Sequence, residues 1–305
     1  MKVLFLGSSR FSSFVLSSVL ASKHSVCGVI TQPPRPSGRG QKLEKTLVHK
    51  QAEENNIPVF TFDRLSRHLD EVRQIDYDIA LVASYGQILS DEFLAINPCI
   101  NVHPSLLPKY RGATPIQSAL INGDKETGVT IMKVAREVDA GDIILQEKFD
   151  LNEDIRFEEL ERSLSLLGGK LAVEAIDLYQ SGKVTFTPQD HSKAVLVRKI
   201  TKEDGLLNFA KTSTEIYNKF RALSEFVGCY IFIGGQKIKV FDLKIVGMQG
   251  NPCEVLSSKK RFIIACKDKA IEILRLQSPS GKAVDALSFL NGWKGEIEVN
   301  KCLQI

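Results

Sequence analysis

Nothing in the 305-residue chain approaches the length of an apolar membrane span, and its first residues, MKVLFLG, read as a β-strand. Neither a spanning helix nor a secretory or transit leader is therefore expected. Cysteine is scattered. The six residues at 27, 99, 229, 253, 266 and 302 form no C-x-x-C pair and do not cluster with the five histidines, which argues against a zinc site and a dithiol redox motif. Buried free thiols in a reducing compartment are the expectation, hence a cytoplasmic protein. The turn after the first strand, Gly7-Ser8-Ser9-Arg10-Phe11, lacks G-x-G-x-x-G, so no dinucleotide is implied. There is no internal repeat and no low-complexity tract. No Ser or Cys stands with a matched base, so direct attack by an acceptor is simpler than a covalent enzyme intermediate.

What is present is ordinary globular composition, 43% hydrophobic and 25% charged, in a chain long enough for two domains. The net charge of +4 is uneven: residues 1–205 hold 25 Lys+Arg against 27 Asp+Glu, and 206–305 hold 15 against 9. A basic C-terminal third points to a polyanionic partner, or simply to a solubilising surface.

The first half alternates buried-type strands with amphipathic stretches, as βαβ units do. Strands are expected at Val3 to Gly7, Val26 to Thr31, Asp78 to Ala83 and Cys99 to Val102, with helices near Phe11 to Leu20, Glu44 to Asn55 and Ser66 to Gln74. Two further strands, Val129 to Val134 and Ile143 to Phe149, flank Asp139, and a long helix over Phe157 to Ser181 closes the domain. Around Thr185 to Asp204, with its Thr-Pro-Gln-Asp-His run, the pattern weakens into a connector. Short alternating segments follow at Val227 to Ile233, Lys237 to Leu243, Arg261 to Cys266 and Ala270 to Leu276. The expected fold is α/β: a Rossmann-like, mostly parallel sheet over residues 1–185, a linker over 186–207 and a small OB-like β-barrel over 208–305.

The most informative run is N-V-H-P-S-L-L-P-K-Y-R-G from Asn101 to Gly112, followed by T-G-V-T-I-M from Thr127 and V-D-A-G-D from Val138. Asn101 and His103 fall where a strand runs out, the usual place for working residues in an open α/β sheet. Their i, i+2 spacing puts an amide and an imidazole on one face. That pair suits stabilisation of a developing oxyanion, with Asp139 to orient the imidazole or accept a proton. Taken singly, His103 reads rather as a hydrogen-bonded residue closing a strand, and Asp139 as a turn carboxylate.

Taken whole, the run resembles the folate-dependent formyltransferase family, whose signature is Asn-x-His, then Ser-Leu-Leu-Pro, then Asp-x-Gly some forty residues on. The resemblance implies that Asn101, His103 and Asp139 are catalytic and that 10-formyltetrahydrofolate is the one-carbon donor; with no ligand cluster in the sequence and a donor already activated by its folate nitrogen, no metal is expected. The resemblance also implies a folate site formed by Ser105, Leu106, Leu107 and Pro108, with Gln87, Ile88 and Leu89 lining the pterin end.

The acceptor has to be read outside this run. Thr31 to Leu43 is a Pro/Gly-rich loop carrying Arg35, Arg39 and Lys42 and no acidic residue, suited to phosphate or an RNA end, or equally to solubility alone. It resembles the loop that tRNA-formylating members of the family wedge against the acceptor stem. The basic C-terminal third, with L-Q-S-P-S-G-K-A at Leu276 to Ala283, resembles the barrel those members append. The implied acceptor is the α-amine of methionyl-initiator tRNA, formylated by a monomer for translation initiation. A formyltransferase acting on an amino-sugar nucleotide is the alternative, and a folate- or RNA-binding protein with a dead site is a more distant one. Gly7 to Phe11 and Leu223 to Tyr230 depart from the family pattern, which usually has Gly-Thr-Pro at the first place and a Pro-Trp-Pro-Gly-like stretch at the second.

Overall fold

The computed structural model describes residues 1–37, 42–295, 297–299 and 301–302, and the chain divides into two compact units. The first unit holds residues 1–115, 126–151 and 159–197. In chain order its elements begin β1 (Lys2–Gly7), α1 (Arg10–Leu20), β2 (Ser25–Thr31), β3 (Arg35–Ser37), β4 (Lys42–Glu44), α2 (Leu47–Glu54), β5 (Val59–Thr61) and α3 (Leu69–Arg73). They continue with β6 (Ile79–Ala83), α4 (Asp91–Leu94), β7 (Cys99–His103), β8 (Arg111–Gly112), then, after α5 (Pro115–Ile121), which but for Pro115 belongs to the second unit, β9 (Glu126–Lys133), β10 (Ile143–Asp150), α6 (Phe157–Gln180) and β11 (Leu196–Val197).

The main sheet has the order β10-β9-β7-β6-β1-β2-β5. Its strands are parallel from β7 to β5, and β9 and β10 run antiparallel at the other edge. β1 and β6 are buried almost throughout, which is why their sequences read as unbroken apolar runs rather than alternating ones. Helix α1 starts at a capping box between Ser9 and Ser12 and buries Phe11, Val15, Leu16 and Val19, an apolar stripe of helical period.

Differences from the expected elements have local causes. The helix expected from Glu44 begins at Leu47, capped by the Thr46 hydroxyl, because Lys42–Glu44 pairs with Arg35–Ser37 as a hairpin. The helix expected over 66–74 is broken at His68, whose φ of −122° is not helical. The segment expected as a linker is divided between the units at 197/198. Its first half is tied down: Thr187 and Ile143 exchange two backbone hydrogen bonds of 2.8 Å, and β11 pairs with β8.

The second unit holds residues 116–125, 152–158 and the chain from Arg198 onward. Its elements are α7 (Ser213–Leu223), β12 (Cys229–Ile233), β13 (Gln236–Val246), β14 (Val255–Ser257), β15 (Phe262–Ala265), β16 (Ala270–Gln277), β17 (Val284–Asp285) and α8 (Ala286–Gly292). The strands form a curled antiparallel half-barrel in the order β12-β13-β16-β15-β14, with β17 against β16. Register shifts between Val240 and Leu243 accompany the curl, as bulges do. Ile231, Ile238, Val240, Phe262, Ile264, Ile271, Ile273 and Leu276 are buried in this unit. No helix among the described residues is long and apolar enough to cross a membrane.

Candidate active site

β7 lies between β6 and β9, so its carboxyl end is held from both sides. Asn101 pairs with Met132 and His103 with Thr130 across β9. Asn101 is half-buried and His103 is buried. The turn joining β9 to β10 carries Asp139 in left-handed backbone, at a φ of +52°. That turn is closed against β9 by the Lys133 amide on the Asp142 carbonyl, 2.9 Å. Gly141 leaves no alternative there, because a Cβ would collide with the Lys133 carbonyl oxygen.

The three polar groups meet at the Asp139 carboxylate. Its Oδ1 accepts from Asn101 Nδ2 at 3.5 Å, and its Oδ2 accepts from the Gly112 backbone N–H at 2.8 Å and lies 3.5 Å from His103 Nδ1. The other imidazole nitrogen, Nε2, is 2.9 Å from the Tyr110 carbonyl, which can only accept. Nε2 therefore carries a proton, and Nδ1 is the nitrogen that faces the carboxylate. Any proton at Nδ1 lies between imidazole and carboxylate, the arrangement of an acid–base pair.

The Ser105 to Pro108 turn is built from inside. The Ser105 hydroxyl, fully buried, donates to the Lys109 carbonyl at 2.6 Å. Thr130 Oγ1 donates to the Ser105 carbonyl at 2.6 Å and accepts from the Leu107 N–H at 3.2 Å and from Gln146 Nε2 at 2.8 Å. Gln146 also donates to the Leu107 carbonyl at 3.0 Å. Leu106 lies over Gly128, where a Cβ would meet its side chain. Leu107 is buried and Pro108 half-buried.

Gln87 donates to the Phe62 carbonyl at 3.0 Å and accepts from the Leu65 N–H at 2.9 Å. Ile88 is exposed, and Leu89 packs against the core cluster that contains Leu6, Ile30 and Tyr85. Arg35 and Lys42 lie exposed on the two strands of the β3–β4 hairpin, with Arg35 opposite Glu44 and donating to Gln32 Oε1 at 3.0 Å. Arg39 lies outside the described residues. Asn101, His103 and Asp139 are thus brought together at one carboxylate, while Arg35 and Lys42 stand on the β3–β4 hairpin.

Burial pushes the thiols of Cys229 and Cys266 up to about 12 and raises that of Cys99, so none of these is a thiolate nucleophile near neutral pH. Among the described residues no group of three or more His, Cys, Asp or Glu is placed to hold a metal ion.

The formyl transferase family model matches residues 1–176, and that of the formyl transferase C-terminal domain matches residues 199–294. The chain belongs to the formyl transferase family. Relatives include the methionyl-tRNA formyltransferase of a Sulfurihydrogenibium species, 36% identical over 303 residues, covering 96% of this chain and 97% of that protein. Another is the methionyl-tRNA formyltransferase of Kosmotoga olearia, 38% identical over 292 residues, covering 93% and 94%. Among solved structures it is similar in fold to the N-formyltransferase of Helicobacter canadensis in complex with folinic acid and dTDP-3-aminofucose. The TM-score is 0.68 at 21% identity, covering 90% of this chain and 98% of that one.

This formyl transferase also carries, around the site, polar residues that sequence reading passed over. Gln189 Nε2 donates to the carbonyls of Asp139 and Gly141 at 2.9 and 2.7 Å. Its Oε1 accepts from Arg111 Nε and Nη2 at 3.1 and 2.7 Å. Thr130 and Gln146 support the 105–108 turn as described. Gln189 stands in the Thr-Pro-Gln-Asp-His run read as connector, and nothing local marks it. A Thr and a Gln at alternate-strand positions likewise look like ordinary sheet residues.

Proposed function

We propose that this formyl transferase moves the formyl group of 10-formyltetrahydrofolate onto the α-amine of methionyl-initiator tRNA. One observation carries the reading: similarity to methionyl-tRNA formyltransferases over nearly the whole length of both chains. The convergence of Asn101, His103 and Asp139 supports the chemistry.

The turn from Ser105 to Pro108 and the strip Gln87, Ile88 and Leu89 fit a flat heterocycle held by backbone groups. Gly86, in left-handed backbone at a φ of +87°, has no heavy atom nearer than 4.0 Å to where a Cβ would stand, and Ile88 beside it is exposed. The reduced folate supplies an activated formyl carbon, and the remaining work falls to the chain. Asn101 Nδ2 stands ready to donate to the formyl oxygen, which gains negative charge as the amine attacks, and the His103 imidazole lies at the same point. Asp139 accepts the proton that the amine loses, directly or through water, and that proton passes to the folate nitrogen as its bond to the formyl carbon breaks and the tetrahydrofolate leaves. The Gly112 N–H and the Tyr110 carbonyl keep the carboxylate and the imidazole in register for this exchange. Residues 1–185 are the catalytic domain in this reading, 186–207 a linker in chain order, and 208–305 a tRNA-binding domain.

Arg35, Arg39 and Lys42 take the RNA backbone or acceptor end, and the basic C-terminal third adds a diffuse electrostatic contribution. The test is kcat/KM for charged initiator tRNA in the wild type and in the R35A/R39A/K42A variant across a salt series, beside an amino-sugar nucleotide. A steep fall with salt and a strong loss in the triple variant are expected. A flat salt response, an unaffected variant and a preference for the sugar nucleotide would transfer the assignment to that acceptor.

A further inference from the structure

Asp139 is the residue on which Asn101, His103 and Gly112 all converge, yet it occupies backbone that only glycine adopts freely. A non-glycine residue persists there when its surroundings over-determine it. Those surroundings come from a segment distant in sequence. The Gln189 amide nitrogen donates to the carbonyl of Asp139 itself and to that of Gly141, bracketing the left-handed residue.

The amide cannot reverse itself. Its oxygen faces Arg111, a guanidinium only 2% exposed that has donors and no acceptor, through bonds at 3.1 and 2.7 Å. Arg111 Nη1 and Nη2 also reach His191 Nδ1 at 3.3 Å. The buried cation thus orients the amide, and the amide holds the turn. The backbone carrying both partners is clamped at two points, by Thr187 on Ile143 and by the Arg111 N–H on the Val195 carbonyl at 2.9 Å. Immediately after Arg111, the Gly112 N–H bonds the Asp139 carboxylate.

We propose that Gln189 is a positioning residue for Asp139, with Arg111 fixing the orientation of its amide. The inference rests on the proposed catalytic role of Asp139. Gln189 touches neither acceptor nor donor in it. Its removal lets the 137–141 turn relax, so the carboxylate leaves the point where Asn101 and His103 meet.

The test is a double-mutant cycle between position 189 and Asp139, using Q189E and Q189L. Q189E keeps the size of the side chain and the bond from Arg111 but sets an oxygen against two carbonyl oxygens. Q189L removes both bonds. Rates are taken per folded molecule, with the folded fraction at assay temperature measured by circular dichroism. Each substitution is expected to lower kcat by about tenfold or more, with KM for folate and for tRNA within about twofold, the scale of losing an orienting partner behind a working group. In the D139N background the same substitutions are expected to leave the residual single-turnover rate within about twofold, because there is no carboxylate left to place. Wild-type kcat in Q189E, or equal proportional losses in the two backgrounds, would overturn the inference. A wild-type rate in D139N alone would instead remove the catalytic role of Asp139 on which the inference rests, which keeps the two failures apart.

Discussion

Asp139 Oδ2 lies 3.5 Å from His103 Nδ1 while the opposite imidazole nitrogen is committed to the Tyr110 carbonyl. The histidine therefore offers the site one nitrogen only, and the carboxylate decides what that nitrogen can do. If this pair and Asn101 carry the reaction, N101A, H103A and D139N should each lower kcat by roughly a hundredfold or more, the scale of losing an oxyanion donor or a general base. Melting curves close to wild type would accompany the loss. Near wild-type kcat in any two of the variants is the result that contradicts the assignment.

Gly141 is tightly confined because a Cβ there strikes the Lys133 carbonyl. G141A should therefore move the Asp139 turn off the end of β9, destabilising the protein by about 1–3 kcal/mol, as overpacking does. The kcat should fall with it. Thermal melting and initial rates on the same preparation check both, and an unshifted melting temperature would show that the turn has room the geometry denies.

Thr130 supports the 105–108 turn through three hydrogen bonds made by one hydroxyl. T130V keeps the β-branched shape but leaves the Ser105 carbonyl and the Leu107 N–H without that partner, at a cost of about 1–3 kcal/mol. Since the turn is the proposed folate contact, KM for the folate should rise more than kcat falls. Steady-state kinetics with each substrate varied in turn gives the answer, and a pure kcat effect would detach this turn from folate binding.

His24 offers a prediction in pH. It is buried, with Nδ1 3.3 Å from the Met1 ammonium and Nε2 3.2 Å from Asp177 Oδ1. Burial first, then the Met1 ammonium, with Lys23 adding a smaller push, hold its pKa below the ordinary value, while Asp177 pulls the other way. A folded value below the unfolded one means that the unfolded chain takes up the proton first as pH falls. The stabilisation is whole above the unfolded pKa of about 6.5 and is lost as pH falls from there toward the folded value. The stability advantage of wild type over H24Q should accordingly shrink between about pH 7.5 and 5.5, a range set around that unfolded pKa. Denaturant midpoints across that range test it, and a difference that grows on acidification would reverse the sign.

Much of the architecture was open to reading along the chain. Unbroken apolar runs such as Ile79–Ala83 fit short strands covered on both faces, and the stripe from Phe11 to Val19 fits a helix laid against them, as both turn out to be. Short or capped pieces escaped: β5, at three residues, is too brief for a period, and α7 has mixed polarity and starts from a capping box at Thr212. Asn101 and His103 were legible because strand alternation is local and set by two residues of separation.

What the chain could not disclose lies where residues distant in sequence supply each other's hydrogen bonds. Asp139 reads as any turn aspartate until the fold brings it to Asn101, 38 positions earlier. Gln189 reads as connector until its amide is seen bridging Arg111 and the Asp139 turn, 78 and 50 positions away. Side-chain period and propensity are properties of neighbours along the chain, so the sequence by itself determined the strands, the helix stripe and the two facing residues of β7. Donor-to-acceptor matching across those separations is a property of the folded backbone, and only the tertiary structure decided which polar groups meet at the carboxylate and what holds it there.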